Sequence, residues 1–139
     1  MTKALSIILL ISFTFLFNSC ENPSTDLSGK WKLIDLDFGY SMSDLTEESR
    51  ENQTKTKQNL LNNEIHMTFT KEGSYIHEYL ENGVKEAIKG TYSITNDAKE
   101  VTTVINDASE TVYILKLTTK TLKINYGVEG RSFTYTKVN

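Results

Sequence analysis

The chain has 139 residues, 38% of them apolar, with fifteen Lys and Arg against eighteen Asp and Glu and a formal net charge of −3. That is enough apolar material for one domain with a core. A mildly acidic balance without a basic cluster argues against a nucleic-acid binder, and one Pro, seven Gly and abundant Thr, Ile, Val and Tyr favour β-structure.

The first element is an oily run. Lys3 precedes residues 4–17, ALSIILLISFTFLF, which are too few to span a hydrocarbon core that needs about 20 helical residues. The run has the length of a signal-peptide core. Cutting after Ser19 would place Phe17 where an ordinary signal peptidase needs a small residue. The segment resembles a bacterial lipoprotein signal of the loose Bacteroidetes type, with Phe17-Asn18-Ser19 in the lipobox position before Cys20, the sole cysteine. The resemblance implies that residues 1–19 are a signal peptide and that Cys20 is lipidated and palmitate-bearing. Cys20 would then be the membrane partner of a protein of the cell envelope, on the outer membrane. An incidental cysteine in an ordinary secretory signal is the plain alternative. Two or more acyl chains anchor stably where one does not. Residues 20–28, with the only Pro, read as a tether. No other thiol exists to form a disulfide.

The body, residues 29–139, shows strand signals at short spacing. In the first strand, residues 29–38, Trp31 and Leu33 share one parity and Ile34, Leu36 and Phe38 the other, which predicts a bulge halfway. Residues 42–63 are polar, with neither Gly nor Pro after Ser43. Asp44 and Glu47 form a capping-box pattern, and a thin stripe of Leu45, Leu60 and Leu61 predicts a helix on the rim. The second strand covers about 64–70, with Met67 and Phe69 alternating, and the third about 75–80. Asn82-Gly83 is a hairpin turn, because both residues tolerate positive φ. Strands follow at about 84–94, 100–105, 111–117 and 121–126. In the sixth, Tyr113, Leu115 and Leu117 are expected on one face. The chain reverses over 127–130 into the last strand, 131–138.

Gly29-Lys30-Trp31 opening an eight-strand set, the LTTKTLKI hairpin at 117–124 and Arg131 at the last strand together resemble the calycin group, specifically the lipocalin-like domains of bacterial lipoproteins. The resemblance implies an all-β, eight-stranded antiparallel up-and-down lipocalin-like barrel, with the helical insert between its first two strands. It also implies that Trp31 plugs one end beneath Arg131 by cation–π stacking. A barrel of this size either fills its interior with side chains or holds one small ligand. For the ligand case the candidate lining is Met67, Phe69, Tyr92, Tyr113, Tyr135 and Arg131, with Tyr135 standing in for the tyrosine that fatty-acid-binding calycins pair with an arginine. The plainer reading makes the tyrosines packing residues.

No cofactor or metal site is expected. His66 and His77 lie on opposite parities and are read as solvent-facing or hydrogen-bonded. No nucleophile elbow, phosphate loop or HExxH motif occurs, so no enzyme is expected. Two functions stand open. One is an anchored barrel binding a small hydrophobic or amphipathic ligand. The other is a filled barrel acting on an envelope protein partner, as an interaction or inhibitor module, through the insert and the 127–130 loop.

Overall fold

A computed structural model describes residues 26–127 and 130–139. The leader, Cys20 and most of the tether lie outside the described residues, as do two positions of the 127–130 turn.

The described chain forms a closed antiparallel barrel in which every strand pairs with its neighbour in sequence, and the last with the first. The strands are β1 (Gly29–Asp37), β2 (His66–Phe69), β3 (Ser74–Glu81), β4 (Val84–Ile94), β5 (Glu100–Ile105), β6 (Ala108–Leu117), β7 (Thr121–Asn125) and β8 (Ser132–Val138), with one α-helix, α1 (Glu47–Asn62), between β1 and β2. This is the expected fold class, an all-β barrel with a helical insert.

Two bulges set the inward faces. The expected one in β1 is present: pairing with β8 shifts between Leu33 and Asp35. Trp31 and Leu33 point inward before the bulge and Leu36 and Phe38 after it, while Ile34 is left 48% exposed. A second bulge, between Ile114 and Lys116 on β6, was not foreseen. It places Val112 and Leu117 inside and leaves Tyr113 and Leu115 exposed. The expected single face of Tyr113, Leu115 and Leu117 is therefore wrong, because alternation is interrupted by one residue.

The helix also differs in detail. Thr46, not Asp44, is its N-cap, with the Thr46 hydroxyl accepting from the Ser49 N–H at 3.3 Å; Asp44 lies in a separate single turn of 3-10 helix, Met42–Asp44. Leu60 and Leu61 pack against the core, but no residue of α1 is fully buried.

Asn82-Gly83 and Asn106-Asp107 both turn with positive φ at each central residue, the geometry that matches strand twist. The β3–β4 hairpin outruns the barrel. β4 pairs with β3 from Val84 to Thr91 but with β5 only from Thr91 to Ile94. Val84 and Ile88 keep the inward parity of Tyr92, yet they are exposed because no strand closes over them.

The barrel has two unlike ends. Leu27, the start of β1 and the end of β8 lie at one, with the β2–β3, β4–β5 and β6–β7 turns. At the other lie the β1–α1 connection and the remaining hairpins. Leu27, read from the sequence as tether, is 2% exposed and accepts the Trp31 indole N–H at 2.9 Å. The packed domain therefore begins before Gly29.

Candidate functional site beside the barrel mouth

The plug at the first end is built by Trp31, which is fully buried. Its cation is not Arg131. Trp31 pairs with Lys137 across the β1–β8 ladder, and the Lys137 ammonium sits 5.2 Å from the ring centroid. The reason is geometric. β1 and β8 are antiparallel, so the start of one meets the end of the other, and Arg131 falls at the opposite end of the barrel, exposed beside the α1 residues Asn52 and Gln53. Gly29 makes the arrangement possible. A Cβ there would lie 2.4 Å from Lys137 Cε, and its φ of +130° suits only glycine.

The lumen is filled. Met67, Phe69, Tyr75, Val101, Val112, Leu122 and Ile124 converge around a void of about 20 Å³, which Thr103, Glu110 and Tyr126 also line. Such a space holds one water at most. Phe69 packs tilted against Tyr75 and edge-to-face against Tyr92, at 5.2 and 4.9 Å between ring centroids. The Tyr126 and Tyr135 hydroxyls are hydrogen-bonded to each other, and burial pushes the Tyr75, Tyr126 and Tyr135 phenols up from their ordinary range. The Tyr92 hydroxyl donates to the Thr70 carbonyl at 2.7 Å.

The expected ligand-lining set therefore separates. Met67, Phe69 and Tyr135 are core, and Tyr92 is half-buried with its hydroxyl satisfied. Tyr113 faces solvent and Arg131 is outside. His66 is hydrogen-bonded, its Nδ1 lying 2.6 Å from the Glu64 carbonyl. His77 departs from expectation. Its Nε2 is buried without a hydrogen-bond partner, and burial lowers the pKa of the ring. Among the described residues no three His, Cys, Asp or Glu side chains are placed to hold a metal ion.

The space that the lumen lacks is found outside it. Between β1 and α1 runs a groove of about 520 Å³, with Leu36, Phe38, Met42 and Leu61 as its apolar lining and Asp35, Asp37, Tyr40, Thr54, Lys57 and Gln58 as its polar one. That volume falls in the range of small-ligand sites. Two contacts hold the helix at this distance from the strand. Lys57 pairs with Asp35 at 2.5 Å, and the Gln53 side chain donates to the Tyr40 hydroxyl. The Lys57 ammonium, with a smaller contribution from the Leu36 N–H, holds the Asp35 carboxyl below its usual range. Asp37 accepts from the Gly39 N–H at 2.9 Å.

The groove follows from where β2 stops. β1 pairs with β8 from Lys30 to Asp37, but with β2 only from Gly29 to Lys32, and the Leu33 N–H to the Ile65 carbonyl closes that ladder. Beyond it the helix replaces a strand as the neighbour of β1. Sequence reasoning missed this site because its residues come from a strand end, a loop and a helix read as lying on the rim. The sequence offered no signal for it: the second strand was expected over about 64–70, whereas β2 has four residues and cannot flank the nine of β1.

No family model matches the chain, and no curated protein does either.

Proposed function

We propose that this is a lipid-anchored protein of the cell envelope, held through Cys20. In this reading its barrel is a filled scaffold, and its work is binding, not catalysis, in the groove between α1 and β1. The observation that carries this is the contrast of volumes: about 20 Å³ inside the barrel against about 520 Å³ in the groove. Cargo in the lumen would have to displace buried core side chains. An occupant of the groove displaces only water. The Cys20 anchor rests on the leader, and the lipocalin-like family reading rests on Gly29, Trp31 and the strand count.

A photo-crosslinking residue at Gln58, in the groove, and another at Thr111, exposed on β6, test the reading in intact cells. An adduct of defined mass from position 58 and none from 111 is expected; adducts from 111 alone, or none, overturn it. A small amphipathic molecule is a second reading of the same groove, favoured by its volume and its mixed lining. An adduct of a few hundred daltons separates it from a protein partner (the size of small ligands). The anchor is tested apart from the groove: labelled palmitate should enter the wild-type chain, and Cys20→Ala should remove both the label and the membrane partition.

A further inference from the structure

We propose that the β3–β4 hairpin is a second docking site, at which an extended acidic polypeptide segment, alternating carboxylate with apolar side chains, adds as a strand to the open edge of β4. This goes beyond the groove and does not depend on it.

The edge is defined by which way the β4 backbone turns. The Tyr92 N–H donates towards β3, to the Gly73 carbonyl at 2.8 Å, and the Thr95 N–H donates towards β5, to the Glu100 carbonyl at 3.0 Å. Successive residues of a strand alternate sides, so even-numbered residues of β4 face β3 and odd-numbered ones face β5. The other end of the hairpin agrees, because Asn82-Gly83 is a two-residue turn that closes on a bonded Glu81–Val84 pair. No register shift interrupts the β3–β4 ladder between Val84 and Thr91. β5 covers the odd-numbered edge only from Thr91 onward. The N–H and C=O groups of Lys85, Ala87 and Lys89 therefore point into solvent, and among the described residues none of them has a backbone hydrogen-bond partner. Every residue from 84 to 89 is exposed. An open edge of this kind recognises peptides by β-addition.

The two faces of the hairpin fix the chemistry of the occupant. Val84 and Ile88 are 59% and 36% exposed on the face they share with Tyr79, so partner residues beside them are apolar. Lys85 and Lys89 lie on the other face with Ala87. Lys85 reaches Glu78 at 2.9 Å, and Lys89 has no ion-pair partner among the described residues. Edge lysines repel a strand of like charge, the usual guard against unwanted pairing. The same two charges admit an acidic one. A second copy of this chain meets a conflict in each register. A twofold axis at Ala87 sets Lys85 opposite Lys89, and one at Glu86 sets two carboxylates together; like charges opposite one another destabilise a sheet. An axis at Ile88 puts the copy's Val84 where Thr103 of β5 already pairs with Tyr92. An acidic alternating segment avoids all three.

The test uses the full chain in a non-ionic detergent and a fluorescein-labelled peptide, Glu-Val-Glu-Val-Glu-Val, followed by anisotropy at low salt. Saturable binding about tenfold tighter than that of Lys-Val-Lys-Val-Lys-Val is expected. Amide hydrogen exchange should slow at 85, 87 and 89 and stay unchanged at 84, 86 and 88, whose N–H groups already serve β3. N-methylation of the glutamate amides, which face the odd-numbered edge, should weaken binding about tenfold; N-methylation of the valine amides should not. Ala87→Pro removes an edge N–H that no ladder uses and should abolish binding, and Lys89→Glu should reverse the charge preference. Tight binding of both N-methylated peptides, or unchanged exchange at 85, 87 and 89, overturns strand addition, and these two measurements decide even where Ala87→Pro fails to fold. Equal affinity for the acidic and basic peptides overturns the acidic occupant. An absence of saturable binding overturns the proposal outright and leaves the lysines as guards of the edge. A dimer of the chain alone in sedimentation, dissociated by Ala87→Pro, overturns it in favour of a second copy.

Discussion

At the scale of single residues, Gly29, Trp31 and Lys137 act as one device. The glycine leaves room for the Lys137 stem, the Lys137 ammonium lies over the indole, and the indole N–H fastens Leu27. Trp31→Ala should therefore cost about 3–5 kcal/mol, the range for emptying a buried aromatic site, measured by urea unfolding. Gly29→Ala should cost about 1–3 kcal/mol through its positive φ, and Arg131→Ala should leave the plug unchanged. His77 offers a second residue-scale prediction. Its folded pKa lies below the ordinary 6.5 because burial disfavours the cation. The unfolded chain thus binds the proton first, and stability present above about pH 6.5 is lost as the pH falls through that range. His77→Leu should remove this dependence between pH 7 and 5, and unfolding midpoints across that interval would show it.

At the scale of elements, much was legible. Alternating parity in β1 located its bulge, and Asn82-Gly83 located a hairpin, because each is written in adjacent residues. The β6 bulge was not legible. Its signature, a shift between Ile114 and Lys116, depends on how β7 pairs, and Tyr113 and Leu115 look as apolar as true core residues. Lys137 could have been found: it shares the parity of Phe133 and Tyr135, and antiparallel closure brings the end of the last strand to the start of the first. The groove was not legible, since it is made by a strand that ends early. One element-scale contact is directly testable. Glu78 on β3 pairs with Lys30 on β1 at 2.5 Å and Lys85 on β4 at 2.9 Å, bridging three strands across the short β2. Hydrogen bonds from Lys30 and then Lys85 depress its pKa to about 2. This stabilisation is present above about pH 4.5 and fades as the pH falls towards 2. After allowance for solvent screening, Glu78→Gln should cost about 1 kcal/mol at pH 7, and the difference in Tm should vanish near pH 2.

At the scale of the whole molecule, a closed barrel with a packed interior behaves as a stiff post. Leu122, 1% exposed, lies at the centre of that packing. Leu122→Ala should cost about 2–5 kcal/mol without altering the proposed capture at the groove, because the groove and the core void share no lining residue. Equal loss of stability and capture would contradict this separation.

Under the proposed anchor, the placement of the plug and the groove at opposite ends of β1 would decide which way the molecule stands. The described chain enters at Leu27, beside Trp31, so a barrel held through Cys20, as proposed above, would turn its sealed base to the lipid. Strands of this length, tilted as barrel strands are, lift the upper rim about 23 Å above the base. On that proposal the slot between α1 and β1 would open away from the membrane. A spin label at Gln58 on the anchored protein should accordingly stay accessible to aqueous relaxers, and one at Glu72, in the β2–β3 turn, should sense the headgroups.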